Sequence, residues 1–237
     1  MNLLRPSLVA VLALVLGACN SDPATETART APAAPVVQSP AAKPGPATGK
    51  KRVLFFGNSI TAGLGVEPEQ AFPALMGQKI DSLGLGYEVV NAGLSGETTA
   101  GGRSRVGWVL RQPVEVFVLE LGGNDGLRGL PLSATRRNLQ AIIDIVHRRS
   151  PNARIVLAGM QIPPNLGQAY AADFKALYQE IADKNHLVLI PFLLEGVGGN
   201  RRLNQADGIH PTPAGHRMVA RTVWHALQPL LAVPTVE

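Results

Sequence analysis

Ser59 closes the stretch Gly57-Asn58-Ser59, directly after the apolar run Val53-Leu54-Phe55-Phe56, while far downstream Asp207-Gly208-Ile209-His210-Pro211 sets a carboxylate and an imidazole three residues apart. A serine hydroxyl is a poor nucleophile until a base within hydrogen-bond reach takes its proton, and that base works best when a third group orients it. These residue types point to nucleophilic acyl transfer, with Ser59 attacking, His210 moving the proton and Asp207 steadying the ring. Taken alone, Ser59 reads equally well as the cap of a helix. Its company decides between the two.

Two further glycine-bearing stretches follow apolar runs: Asn91-Ala92-Gly93-Leu94-Ser95-Gly96-Glu97-Thr98-Thr99 and Gly122-Gly123-Asn124-Asp125-Gly126. Neither fits Gly-x-Gly-x-x-Gly, and no Gly-Lys-Ser/Thr is present, so a nucleotide site is disfavoured. Acyl transfer needs donors aimed at the oxyanion of its tetrahedral intermediate. The backbone N–H of Ser59, that of a glycine, and the side-chain amide of Asn124 could supply them. Thr61 stands where the Gly-x-Ser-x-Gly elbow of the α/β-hydrolases would need glycine.

Together, these four stretches resemble the four blocks of the GDSL-type, or SGNH, hydrolases, and the likeness extends over nearly all of residues 51–231. Within that family, Glu120-Leu121-Gly122-Gly123-Asn124-Asp125-Gly126-Leu127-Arg128-Gly129 and Met160-Gln161-Ile162-Pro163-Pro164-Asn165 are similar to the bacterial subgroup of acyl-CoA thioesterases, lysophospholipases and arylesterases. The resemblance implies a catalytic triad of Ser59, His210 and Asp207. It implies an oxyanion hole from the N–H groups of Ser59 and Gly96 with the amide of Asn124, Gly96 being preferred to Gly93 because it sits in the matching Ser-Gly-Glu-Thr stretch. It implies a loop at Ile162, Pro163 and Pro164 bordering the acyl pocket, and substrates that are aryl esters, acyl thioesters or lysophospholipids. A carbohydrate deacetylase is the alternative enzyme, and a non-catalytic lipid- or glycan-binding lipoprotein the alternative of another class. The chain departs from the family at Asn58, where the motif carries aspartate. Asp125 competes with Asp207 for the third triad place, but a carboxylate three residues from the imidazole can reach it directly.

Residues around these motifs must form the elements that hold them. Val53–Phe56, Tyr87–Val90, Val114–Leu121, Arg154–Ala158 and Leu187–Phe192 read as strands, several continuously apolar and so covered on both faces. Leu139, Ile142, Ile143 and Val146 recur at helical spacing behind Ser133 as cap, and Phe174, Leu177, Tyr178 and Ile181 repeat the pattern. A last helix opens with Thr212 as cap and Pro213 in its first turn, and is expected to turn Val219, Val223, Ala226, Leu227 and Leu230 inward. Alternation of strands and helices predicts a three-layer α/β/α sandwich with a flavodoxin-like, mostly parallel five-stranded sheet. Ligands of such sheets bind at the carboxyl ends of the strands, where Ser59, Gly96 and Asn124 fall. Trp108 and Trp224 read as packing residues. His147, His186, His216 and His225 read as solvated or capping, and none pairs with a carboxylate at metal-ligand spacing. No metal and no cofactor are expected.

Residues 1–18 carry Arg5, the apolar run Leu8–Leu16 and the small pair Gly17-Ala18, the plan of a secretory signal. Leu16-Gly17-Ala18-Cys19 resembles a bacterial lipoprotein signal, which implies lipidation of Cys19, the single cysteine of the chain, and Asn20 after it favours the outer membrane. Residues 19–50, rich in Pro, Ala and Thr, read as a disordered tether, and residues 51–237 as the catalytic domain. The net charge of +5 is scattered in pairs such as Arg136-Arg137 with few aromatics, which argues against a nucleic-acid partner. The expected partners are an ester substrate and, through Cys19, a membrane.

Overall fold

A computed structural model describes residues 51–231. Cys19, the signal-like segment and the tether lie outside these residues. Five strands, β1 (Lys51–Gly57), β2 (Tyr87–Gly93), β3 (Val116–Glu120), β4 (Arg154–Ala158) and β5 (Val188–Ile190), form one sheet in the order β2-β1-β3-β4-β5. Every pairing is parallel. The helices are α1 (Ser59–Ala62), α2 (Phe72–Ser82), α3 (Thr99–Val109), α4 (Gly123–Leu127), α5 (Leu132–Arg149), α6 (Gln168–Asn185) and α7 (Pro213–Leu227). Helices α3, α5 and α6 pack together as one layer, and α2 and α7 as another. The expected three-layer architecture is the one observed.

The continuous apolar runs explain the sheet. Val53 to Phe56, Val116 to Leu119 and Ile155 to Ala158 are all buried, because helices cover both faces of the central strands. Helix α5 buries Leu139, Ile142, Ile143 and Val146, and its last turn carries His147, Arg148 and Arg149 against the negative end of the helix dipole. The helix begins at Leu132 rather than behind Ser133: Pro131 presets the backbone, and its carbonyl accepts from the N–H groups of Ala134 and Thr135. Helix α7 opens as the sequence suggests, with Thr212 Oγ1 accepting from Gly215 N–H and Pro213 at its first position. It buries Val219, Val223, Trp224 and Leu227, whereas Ala226 is only half-buried and Leu230, also half-buried, lies past the helix end at Leu227. Strand β5 is shorter than expected, since Pro191 has no N–H to extend the ladder.

Two side chains depart from expectation. Trp108 is 45% exposed, with the Arg111 guanidinium over its ring, and does not pack in the core. His216 is the reverse: it is fully buried, stacks on Phe72, and its Nδ1 accepts from Phe72 N–H. That bond leaves the proton on Nε2, which meets no protein partner. Burial first, and then the nearby His210, push the His216 pKa down from 6.5 to about 4. The unfolded chain therefore binds a proton that the folded one refuses as pH falls from 6.5 toward 4, and stability drops in that window by about 3 kcal/mol. Glu120, raised to about 7, works with the opposite sign, destabilising the fold as pH rises from 4.5 to 7. Comparing the chain with His216→Gln isolates the histidine, because the amide can still accept from Phe72. Urea unfolding of the variant is expected to lose this part of the acid sensitivity, and parallel pH curves for the two proteins would contradict the assignment.

Candidate active site

The sheet order reverses direction between β1 and β3, the place where parallel sheets of this type open a crevice at their carboxyl ends. Gly57, Gly93 and Glu120 stand in register at that edge, so the segments that follow β1, β2 and β3 emerge side by side. Side-chain and backbone bonds join them. Leu94 N–H donates to Gly57 O at 2.9 Å, Asn91 Nδ2 to Thr61 O at 2.9 Å, and Asn124 Nδ2 to Glu97 O at 3.0 Å. A Cβ on Gly57 would overlap Thr61 Oγ1 and both the carboxylate and the carbonyl of Glu120, so only glycine lets β1 and the turn of α1 approach this closely.

Ser59 is the first residue of α1 and 8% exposed. Its N–H belongs to the first helical turn, whose donors have no partner inside the helix. Asn58 caps that turn, its Oδ1 accepting from Ile60 N–H at 3.0 Å. The cap is therefore Asn58 and not Ser59, which opens the helix with its hydroxyl turned to His210 as a candidate nucleophile.

The partners of Ser59 come from residues 191–212, the long connection from the edge strand β5 to α7. A bridge between Asn204 and Pro211 folds the connection back on itself, and Gln205 ties it down by donating from Nε2 to Leu64 O at 2.7 Å and to Pro211 O at 3.1 Å. Within it Asp207 forms a tight turn, its Oδ1 accepting from Ile209 N–H at 2.9 Å and His210 N–H at 3.0 Å. Its Oδ2 lies 2.6 Å from His210 Nδ1, and His210 Nε2 lies 2.8 Å from Ser59 Oγ. The hydrogen bonds from His210 and from the backbone hold the Asp207 carboxyl down at about 2, far below the usual range. With an ionised Asp207 accepting from Nδ1–H, Nε2 is left as an acceptor facing the serine hydroxyl. This is the geometry of an activated nucleophile.

Asp125, the competing carboxylate, is buried and engaged elsewhere. It accepts from Thr99 N–H at 2.9 Å and from Thr99 Oγ1 at 2.5 Å, which fastens the start of α3 to α4. Asn124 stands in the first turn of α4 with one amide N–H on Glu97 O, leaving a second donor. Gly96 has φ of 78°, the left-handed region that favours glycine, and its carbonyl accepts from Arg128 Nη2 at 3.3 Å. Glu97, next to it, is buried and gripped by Arg105 through two bonds of 2.8 and 2.6 Å, with the guanidinium 4.3 Å over the Phe56 ring. Ile162 is half-buried against Gly126, while Pro163 and Pro164 are exposed after β4. Among the described residues, no cluster of three or more His, Cys, Asp or Glu side chains could hold a metal ion, and no helix is long and apolar enough to cross a membrane.

Sequence reasoning did not single out Gln205, the Arg105–Glu97 clamp or Glu120. A signal for Glu120 was present: it interrupts the apolar stretch Val116–Leu121, where it is the one charged residue. Such a carboxylate must be paired or hydrogen-bonded where it is buried.

A family model described as GDSL-like lipase/acylhydrolase matches residues 55–218. Esterase TesA of Pseudomonas aeruginosa is 41% identical over 180 residues, spanning 76% of this chain and 89% of that protein. Thioesterase 1/protease 1/lysophospholipase L1 of Escherichia coli is 36% identical over 180 residues, spanning 76% and 84%. A crystal structure of TesA superposes with a TM-score of 0.73 at 40% identity, covering 76% of this chain and all of that one.

Proposed function

The chain belongs to the GDSL-like lipase/acylhydrolase family, and from that premise we propose that it hydrolyses carboxylic esters and thioesters through an acyl-serine at Ser59. The observation that carries the reading is the unbroken relay Ser59 Oγ, His210 Nε2, His210 Nδ1, Asp207 Oδ2, with links of 2.8 and 2.6 Å.

The chemistry follows from that relay. Ser59 Oγ attacks the carbonyl carbon while its proton passes to His210 Nε2, and Asp207 stabilises the imidazolium through Nδ1–H. Negative charge gathers on the former carbonyl oxygen, where the N–H groups of Ser59 and Gly96 and the free amide N–H of Asn124 are the candidate donors. His210 then protonates the departing alkoxide or thiolate. Water, giving its proton to the same nitrogen, attacks the acyl-serine, and the acid leaves as Ser59 recovers its hydrogen. The loop at Ile162, Pro163 and Pro164 is assigned to the acyl side of the site. Its place at the carboxyl end of β4, next to β3, which leads into Asn124, and on the same edge of the sheet as the end of β1, which leads into Ser59, supports that assignment. Purified protein is expected to turn over p-nitrophenyl butyrate and an acyl-CoA thioester; failure on both, with folded protein, would overturn the reading.

The chain is further assigned to the cell envelope, exported and anchored to the outer membrane by lipid on Cys19; the support is Leu16-Gly17-Ala18-Cys19 followed by Asn20. Expressed in a Gram-negative host, the full chain is expected in the membrane fraction and Cys19→Ala outside it. Equal partitioning of the two would remove the lipid assignment.

A further inference from the structure

Directly beneath the nucleophile turn lies a carboxylate that the relay does not use. Glu120 ends β3 and is 1% exposed. Its Oε1 accepts from Asn58 Nδ2 at 2.7 Å, and its Oε2 accepts from Asn58 N–H at 3.0 Å and Thr61 Oγ1 at 2.8 Å. All three donors belong to the turn that holds Ser59. Among the described residues no lysine or arginine forms an ion pair with it. A buried carboxylate that satisfies itself only on one turn fixes that turn in one position.

The bond to Nδ2 also determines which way the Asn58 amide faces. With its NH2 on Glu120, Asn58 must present Oδ1 to the other side, where Ile60 N–H lies at 3.0 Å and Ser59 Oγ at 3.5 Å. An aspartate at position 58, as in the family's usual Gly-Asp-Ser, would bring two carboxyl groups to this 2.7 Å contact, and such a pair must share a proton. Asparagine removes that requirement.

We propose that Glu120 is a positioning residue for Ser59, orienting the Asn58 amide so that its oxygen caps the nucleophile turn, and that Asn58 frees this contact from the shared proton that two carboxyls would need. Burial pushes Glu120 up to about 7, while the bonds from Thr61 and Asn58 pull it back. The other titratable groups that face this region are Tyr178 from α6 and Asp125 from α4, with His210 and Asp207 across Ser59. Tyr178 keeps its proton, raised by burial and by the Glu120 charge, and donates it to Leu121 O.

The inference rests on Ser59 being the nucleophile, and an exchange of groups tests it. Glu120→Gln sets an amide NH2 against a donor of the turn whichever way it faces, either against Asn58 Nδ2, so that Asn58 flips and turns its NH2 on Ile60 N–H, or against the Asn58 N–H. It is expected to lower kcat on the order of 10- to 100-fold with little change in KM. Asn58→Asp is expected to work at mildly acidic pH and to lose activity as pH rises and the shared proton leaves, an alkaline limb that the unaltered chain does not have. The double variant Asn58→Asp/Glu120→Gln restores one carboxylate facing one amide. It is expected to return to within about threefold of the parent with the parent's pH profile. Should Glu120→Gln not fold, the alkaline limb of Asn58→Asp and its removal in the double variant are still measurable. An Asn58→Asp profile identical to the parent's, or a double variant that keeps the limb, would overturn the proposal. Fluorophosphonate labelling of the parent separates this from a failure of the nucleophile assignment, since an unlabelled parent indicts Ser59 and a labelled one indicts only Glu120.

Discussion

Ser59→Ala is expected to lower kcat for p-nitrophenyl esters by roughly 10⁴- to 10⁶-fold, His210→Ala by a similar factor, and the double variant by no more than either alone. The reason is the relay itself. Ser59 Oγ has His210 Nε2 at 2.8 Å as the acceptor for its proton. Removing either end therefore removes the same step, so the losses cannot add. Stability should change little by comparison, because Ser59 spends its hydroxyl on His210 rather than on the core. Steady-state kinetics of the three variants checks this, and a double-variant loss equal to the product of the single losses would show two independent roles.

Asp207→Asn is expected to cost about 10³-fold in kcat. The amide leaves the shape of the turn but cannot hold His210 with its proton on Nδ1, so Nε2 ceases to face Ser59 as an acceptor. The factor is set below the ~10⁴ of a buried triad aspartate because the Asp207 side chain is 44% exposed, where water screens its charge. With its pKa held at about 2, Asp207 stays ionised from about pH 3 upward, so it adds no limb to the pH–rate profile in the working range. A loss below tenfold, or a limb that Asp207→Asn removes near pH 4 to 5, would contradict this role.

Much of the sheet was legible in the chain because its central strands are buried on both faces, and burial of that kind writes a continuous apolar run. Val53–Phe56 and the run Ile155–Ala158 needed no other signal. The edges were less legible: β5 ends at Ile190 because Pro191 cannot donate, although Leu187–Phe192 is apolar throughout. His216 misled for a related reason. Its position in a helix suggested solvent, yet α7 turns that face onto Phe72 of α2, and periodicity alone does not tell which side of a helix a neighbour will cover.

At the site, residue type and spacing brought Ser59, Asp207 and His210 into view, and the structure brings them within hydrogen-bond distance. The supports were illegible because they depend on register between strands distant in sequence. Glu120 reaches Asn58 only because β1 and β3 are neighbours with Gly57 opposite Glu120. Gln205 reaches Leu64 only because residues 191–212 return across the sheet.

The most direct test is to react the protein with a fluorophosphonate and find the modified residue by peptide mass spectrometry. One label per chain on Ser59, lost in Ser59→Ala and much slowed in His210→Ala, is the expected result. A labelled site elsewhere, or an unlabelled Ser59 in protein that still hydrolyses esters, would contradict the acyl-serine mechanism.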